Sequence, residues 1–207
     1  YLANYPYGAN MLTAIGDVMR RVYERGWVTT RDGNISMRKR EGNYLYITPS
    51  GWRKTIVHPE HMVKIKLANG QLQIPPGTNP SGELHMHYLL IRGMNRTRAV
   101  VHVHPTHVVA AMYRGFDLQK VCKDFPEIYR YTRIGPTVPA LPAISKELGE
   151  ATAKALEVTE RNPAGNYDIV GQANHGVCSM ASDPWSAYEH IERLDHICEI
   201  VLKSGVS

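Results

Sequence analysis

The stretch Ala99-Val100-Val101-His102-Val103-His104-Pro105 is too short for a helix, rich in β-branched residues, and closed by a proline that cannot continue a ladder. It predicts a buried strand over 99–104, with a helix resuming near Thr106 to Tyr113. Side chains alternate along a strand, so His102 and His104 leave it on the same face, about 7 Å apart. An HxH pair is common by chance. Here the flanking Val100, Val101 and Val103 imply burial, where two imidazoles without partners are costly. Metal binding answers that cost, because neutral imidazole is the usual nitrogen donor to zinc. A catalytic zinc takes three protein ligands and keeps a fourth position open. The third is expected from His175, since Gln172-Ala173-Asn174-His175-Gly176 is a polar turn between two predicted strands. His107 competes for that place, but it lies beyond Pro105 in the helical run. His85 and His87 repeat the HxH spacing on a predicted helix, where positions i and i+2 do not face each other. They are expected at the surface or at an interface, as are His58, His61, His190 and His196. Zinc is the expected ion, and another divalent transition metal that accepts imidazole would also fit.

Upstream of this strand, a helix is expected from Met11 to Arg25, with Leu12, Ile15, Met19 and Val22 on one stripe and Gly26 ending it. Strands over Ile35 to Arg38 and Tyr44 to Thr48 form a hairpin around Glu41-Gly42-Asn43. A second hairpin alternates apolar and basic residues from Met62 to Leu67, turns at Asn69-Gly70 and returns through Gln71 to Ile74. Ser81 stands where a helix N-cap belongs, Leu84 to Ile91 form the helix body, and Glu83 falls in its first turn, at the rim. Downstream come a helix near Ile144 to Leu156, strands near Asp168 to Val170 and Gly176 to Met180, and a long final helix. Asp183 caps that helix and Pro184 opens it, with Trp185, Tyr188, Ile191, Leu194, Cys198 and Val201 on its buried face. Hairpins mixed with flanking helices predict an α/β architecture with a largely antiparallel sheet and helices on its faces. No glycine-rich strand-to-helix turn supports a doubly wound nucleotide fold.

The chain has 207 residues, 43% of them apolar, which suffices for the core of one domain spanning 1–207; no repeat, low-complexity tract or linker divides it. No run approaches the roughly 18 to 20 apolar residues of a spanning helix, and the amino end lacks a signal-peptide layout. A soluble cytoplasmic protein with no membrane partner is expected. Cys122, Cys178 and Cys198 form no CxxC pair and read as small buried hydrophobes. The net charge of +5 is scattered, and its only short cluster, Arg38-Lys39-Arg40, reads as a solvated loop, so no nucleic-acid partner is expected. A mild positive balance suits an anionic small molecule.

Gly33-Asn34, Ser50-Gly51 and Ser81-Gly82 offer hydroxyl and backbone donors without bulk, as an anion site requires. Each alone is an ordinary turn. Taken in order, Gly33-Asn34-Ile35-Ser36, Thr48-Pro49-Ser50-Gly51, Pro80-Ser81-Gly82-Glu83, His102-Val103-His104-Pro105 and Asn174-His175-Gly176 resemble the class II aldolase and adducin superfamily, especially its L-fuculose-1-phosphate aldolase type. The five motifs span most of the chain. The resemblance implies a three-layer α/β/α fold with a central, largely antiparallel sheet, and a homotetramer with active sites at subunit interfaces. It implies His102, His104 and His175 as zinc ligands and Glu83 as the acid/base. Asn34, Ser50, Gly51, Ser81 and Gly82 would hold the phosphate of a sugar substrate. Sugar-phosphate aldolases commonly carry two serines before this glutamate, and here the second is Gly82, so one hydroxyl donor is missing. In the implied reaction a ketose 1-phosphate is cleaved to dihydroxyacetone phosphate and an aldehyde, with zinc stabilising the enediolate and Glu83 moving a proton on its carbon. Within the superfamily the same groups could serve a 4-epimerase, a dehydratase or a decarboxylase. More remote is an adducin-like binding module without catalysis, whose metal histidines are expected to be lost. Tyr129 and Tyr131 lie roughly where related aldolases place a tyrosine for the aldehyde side.

Overall fold

The computed structural model describes residues 11–39 and 43–205. Its frame is a seven-stranded sheet in the order β4-β3-β2-β1-β5-β7-β6, built from β1 (Asn34–Arg38), β2 (Tyr44–Ile47), β3 (Val63–Ala68), β4 (Gln71–Gln73), β5 (Arg98–Val103), β6 (Ile169–Gln172) and β7 (Gly176–Ala181). Each neighbouring pair is antiparallel. All six residues of β5 are buried, as the 99–105 stretch predicts, because β1 and β7 flank it and helices cover both faces.

Strand alternation sorts the apolar residues into two layers. Ile35, Met37, Val101, Val103, Ile169 and Val177 pack in one cluster with residues of α1 (Met11–Glu24), α3 (Thr106–Tyr113) and α7 (Pro184–Lys203). Leu45, Ile47, Ile65, Val100, Val170 and Cys178 pack in the other with residues of α2 (Leu84–Ile91) and α6 (Lys146–Ala155). The result is the expected α/β/α sandwich. Burying one such aliphatic side chain stabilises the fold by about 1.5–3 kcal/mol, against a net stability of about 5–15 kcal/mol for a typical protein. Neither helical layer is therefore dispensable.

The outer elements follow their local chemistry. In α1, Ile15, Val18, Met19 and Val22 form the buried stripe. Helix α7 starts at Pro184, and the Asp183 side chain accepts from the Ser186 N–H as its cap. Two short helices escape the periodicity reading, α4 (Leu118–Cys122) and α5 (Pro126–Tyr131). Asp117, which accepts from the Gln119 and Lys120 amides, was the available signal for the first of them. The basic cluster is not a solvated loop throughout: Arg38 ends β1 and donates to the carbonyls of Ile91 and Arg92 at 3.2 and 2.9 Å. Arg40 and the Glu41-Gly42 part of the first hairpin turn lie outside the described residues. All three cysteines are free and buried. Among the described residues no helix is long and apolar enough to cross a membrane.

Candidate active site

His102 lies on the face of β5 that α2 and α6 cover, two residues beyond Val100, and is 2% exposed. His104 follows the end of β5, and the β6–β7 turn brings in His175 from the neighbouring strand pair. Each of the three offers a ring nitrogen, and these atoms all lie within 4.8 Å of one another. The two Nε2 atoms of His102 and His175 are 3.0 Å apart. Gly176 permits this closeness, since a Cβ there would sit 2.4 Å from the Val103 carbonyl oxygen and 2.7 Å from Cδ2 of His104.

The ring chemistry fits a metal. Nδ1 of His102 lies 2.9 Å from the Val177 carbonyl oxygen, so it carries the proton and leaves the Nε2 lone pair facing the cluster. Burial, then the neighbouring rings of His104, His175 and His87, hold His102 well below the usual imidazole range. His104 is lowered by burial and by His175. Neutral imidazoles with converging lone pairs suit zinc or a similar divalent ion.

Glu83 sits beside this cluster, with Oε1 3.9 Å from Nε2 of His175. It is 6% exposed, which corrects the expectation of a rim position. Ser81 is also not the cap: Glu83 itself occupies the N-cap position of α2, and its N–H donates to Oγ of Ser81 at 3.3 Å. The residue is drawn inward because the Ile144 N–H donates to Oε1 at 3.0 Å. Ile144 achieves this with φ 62°, a left-handed conformation that strains a β-branched residue. Its side chain also covers Gly82, where an added Cβ would lie 3.0 Å from Cγ2 of Ile144. A second serine would therefore press its Cβ against that methyl group.

The three small-residue segments do come together. Pro49 and Pro80 form an antiparallel bridge, the Ser50 N–H donates to the Asn79 carbonyl at 2.8 Å, and the Ser81 N–H donates to that of Thr48 at 3.1 Å. Thr48 in turn donates its N–H to the Ile35 carbonyl at 3.0 Å, tying the pair of turns to β1 and Asn34. Asn34 pairs with His102 across the sheet and is 6% exposed. Gly33, at φ 74°, admits the chain there, as a Cβ would meet Cγ1 of Val28 at 2.6 Å.

The expectation for His87 fails: it is fully buried, not at a surface or interface. Its Nδ1 lies 2.6 Å from Oγ of Ser36 and its Nε2 2.5 Å from Oδ1 of Asn34. Burial lowers it to about 3. The rival His107 is held by Asp195 at 2.9 Å, outside the cluster. Tyr129 and Tyr131 are exposed on α5, and the strand-like segment after them bridges Ile134 to Ile169, at the opposite end of β6 from the His175 turn. The tyrosine that shares a cleft of about 470 Å³ with His104, Asn174 and His175 is Tyr113. Nothing in its helical setting singled it out beforehand.

Among curated proteins, the chain is 29% identical over 189 residues to L-fuculose phosphate aldolase of Methanococcus maripaludis, covering 91% of this chain and 94% of that one. It is 28% identical over 186 residues to 3-oxo-tetronate 4-phosphate decarboxylase of Pectobacterium atrosepticum, covering 88% and 79%. The fold matches the crystal structure of L-fuculose-1-phosphate aldolase from Thermus thermophilus with a TM-score of 0.73, over 95% of this chain and 97% of that one at 23% identity. The family model described as Class II Aldolase and Adducin N-terminal domain matches residues 13–202. With that match running through every layer of the sandwich and across the histidine cluster, the chain belongs to the class II aldolase and adducin family.

Proposed function

We propose that the protein is a zinc-dependent sugar-phosphate aldolase, cleaving a ketose 1-phosphate reversibly to dihydroxyacetone phosphate and an aldehyde. Glu83 carries this assignment: its buried carboxylate stands 3.9 Å from a ring of a three-histidine cluster that could hold a metal. Zinc held by His102, His104 and His175 would supply a Lewis acid for the carbonyl oxygen of the substrate. Oε1 of Glu83 is taken by the Ile144 amide, which leaves Oε2 to give a proton to, or take one from, the carbon beside that carbonyl. Asn34, Ser50, Gly51, Ser81 and Gly82 hold the phosphate, with backbone N–H groups supplying part of what a second serine hydroxyl would. The anion thus anchors one end of the substrate while Glu83 works on the other.

The similarity to 3-oxo-tetronate 4-phosphate decarboxylase supports a second reading. Loss of carbon dioxide from a 3-oxo acid phosphate would call on the same proton transfer by Glu83. The two separate by product. Zinc-loaded protein is incubated with a panel of ketose 1-phosphates, with dihydroxyacetone phosphate followed through a coupled dehydrogenase, and with 3-oxo-tetronate 4-phosphates, with carbon dioxide followed. Dihydroxyacetone phosphate is the expected product. Carbon dioxide alone would move the protein to the decarboxylases, and neither product together with no bound ion after zinc reconstitution would leave a binding module. We also propose a homotetramer with interfacial active sites, for which light scattering should return four chains. The exposed Tyr113, Tyr129 and Ile144 give such an interface apolar material.

A further inference from the structure

Asn34 and Ser36 point to the same face of β1, and α2 lays His87 across both, one helical turn after Glu83. All three are at least nine-tenths buried: Ser36 and His87 are fully enclosed and Asn34 is 6% exposed. Neither ring nitrogen of His87 bonds a carboxylate; one faces the Ser36 hydroxyl and the other the Asn34 carboxamide. A neutral imidazole holds one proton, so only two arrangements are open. If the proton were on Nδ1, it would point at Ser36, and the buried Ser36 hydroxyl would have no acceptor among its recorded partners. With the proton on Nε2, Ser36 donates to Nδ1 and Nε2–H donates to Oδ1 of Asn34, so the hydroxyl proton and the imidazole proton both find acceptors. That arrangement also decides which way the carboxamide faces. Its oxygen is engaged by His87, and its amino group, which has no recorded partner, is left on the side away from the ring.

We propose that His87 is a positioning residue of the anion site: through the relay Ser36–His87–Asn34 it locks the Asn34 carboxamide so that the amino group, and not the oxygen, meets the anion of the substrate. This rests on the reading of Asn34 as an anion-holding residue. A carboxamide free to flip would present an oxygen to a phosphate for part of the time, and the relay removes that alternative. The requirement gives a role to a fully buried imidazole, where a leucine would carry no desolvation cost.

Inorganic phosphate binding to zinc-loaded protein, followed by isothermal titration calorimetry, tests this without relying on any reaction. A glutamine amide reaches as far as Nε2 of a histidine, whereas an asparagine amide reaches only as far as Nδ1. His87→Asn should weaken phosphate by about tenfold with zinc content unchanged, the scale of one hydrogen bond to a charged group, while His87→Gln stays within about threefold. Asn34→Ala should weaken phosphate too, and adding His87→Asn to it should cost nothing more. Equal losses for the two His87 variants, or losses that multiply with Asn34→Ala, would overturn the relay. If Asn34→Ala binds phosphate normally, the anion site and the relay fall together; if it weakens and His87→Asn does not, the relay alone falls. Should the His87 variants fail to fold, neutron diffraction from the deuterated wild-type protein still decides, because a proton on Nδ1, or an Asn34 oxygen turned away from His87, contradicts the proposal.

Discussion

In the proposed reaction Glu83 exchanges the proton, and because its Oε1 already accepts from the Ile144 amide, that task is assigned to Oε2. Glu83→Gln keeps the shape and the hydrogen-bond acceptor but removes the base. It should lower kcat by about 10²- to 10⁴-fold. Zinc content, measured by inductively coupled plasma mass spectrometry, should be unchanged, whereas His102→Ala, His104→Ala and His175→Ala should each lose the ion along with the activity. His87 makes a separate prediction through acid. Burial lowers its folded value from 6.5 to about 3, so between these limits the unfolded chain takes up a proton that the native chain refuses. Its contribution is intact above 6.5 and is lost progressively as pH falls toward about 3, by up to about 1.4 kcal/mol per pH unit. Urea denaturation of the zinc-free protein should show a shallower acid decline for His87→Gln than for wild type. Both residues mark a limit of reading side chains in order along a chain. The pairing of His102 with His104 was legible because alternation is a local rule, but the burial of Glu83 and His87 depends on which sheet face α2 covers.

At the scale of elements, the β6–β7 hairpin has to bring His175 against His104 without a gap. Gly176→Ala would place a Cβ 2.4 Å from the Val103 carbonyl oxygen and 2.7 Å from the His104 ring, so the turn or the ring must move. The variant should lose on the order of 1–3 kcal/mol in thermal or urea unfolding. It should also bind zinc more weakly in competition with a chromogenic chelator, a defect that a merely looser hairpin elsewhere would not produce. The hairpin itself was readable from its polar turn, and so was the Asn69-Gly70 pair between β3 and β4. The helices α4 and α5 were not, since five or six residues cannot display a 3.6-residue period. The start of α2 misled for another reason. Ser81 has the chemistry of a cap, yet its backbone is engaged with Thr48 in the adjoining turn, and the helix begins after Glu83.

For the molecule as a whole, the metal is expected to act as a clamp between β5 and the β6–β7 turn. Removing it with a chelator should lower the melting temperature by on the order of 5–10 °C, and added zinc should restore it. No change would argue that the three rings bind no ion in solution. The layered architecture was legible because the strands and the longer helices show local patterns of apolar residues and turns. The order β1-β5-β7 in the middle of the sheet was not, as no local rule says which distant strands will meet. That order governs biosynthesis. A nascent chain that has passed β5 already carries His102 and His104 and has β1 to pair with, but it has neither the third imidazole nor the Val177 carbonyl that orients His102. With the proposed ligand set, tight metal capture would wait until β7 has left the ribosome, so that metal uptake would report on the arrival of a finished sheet rather than seed its formation.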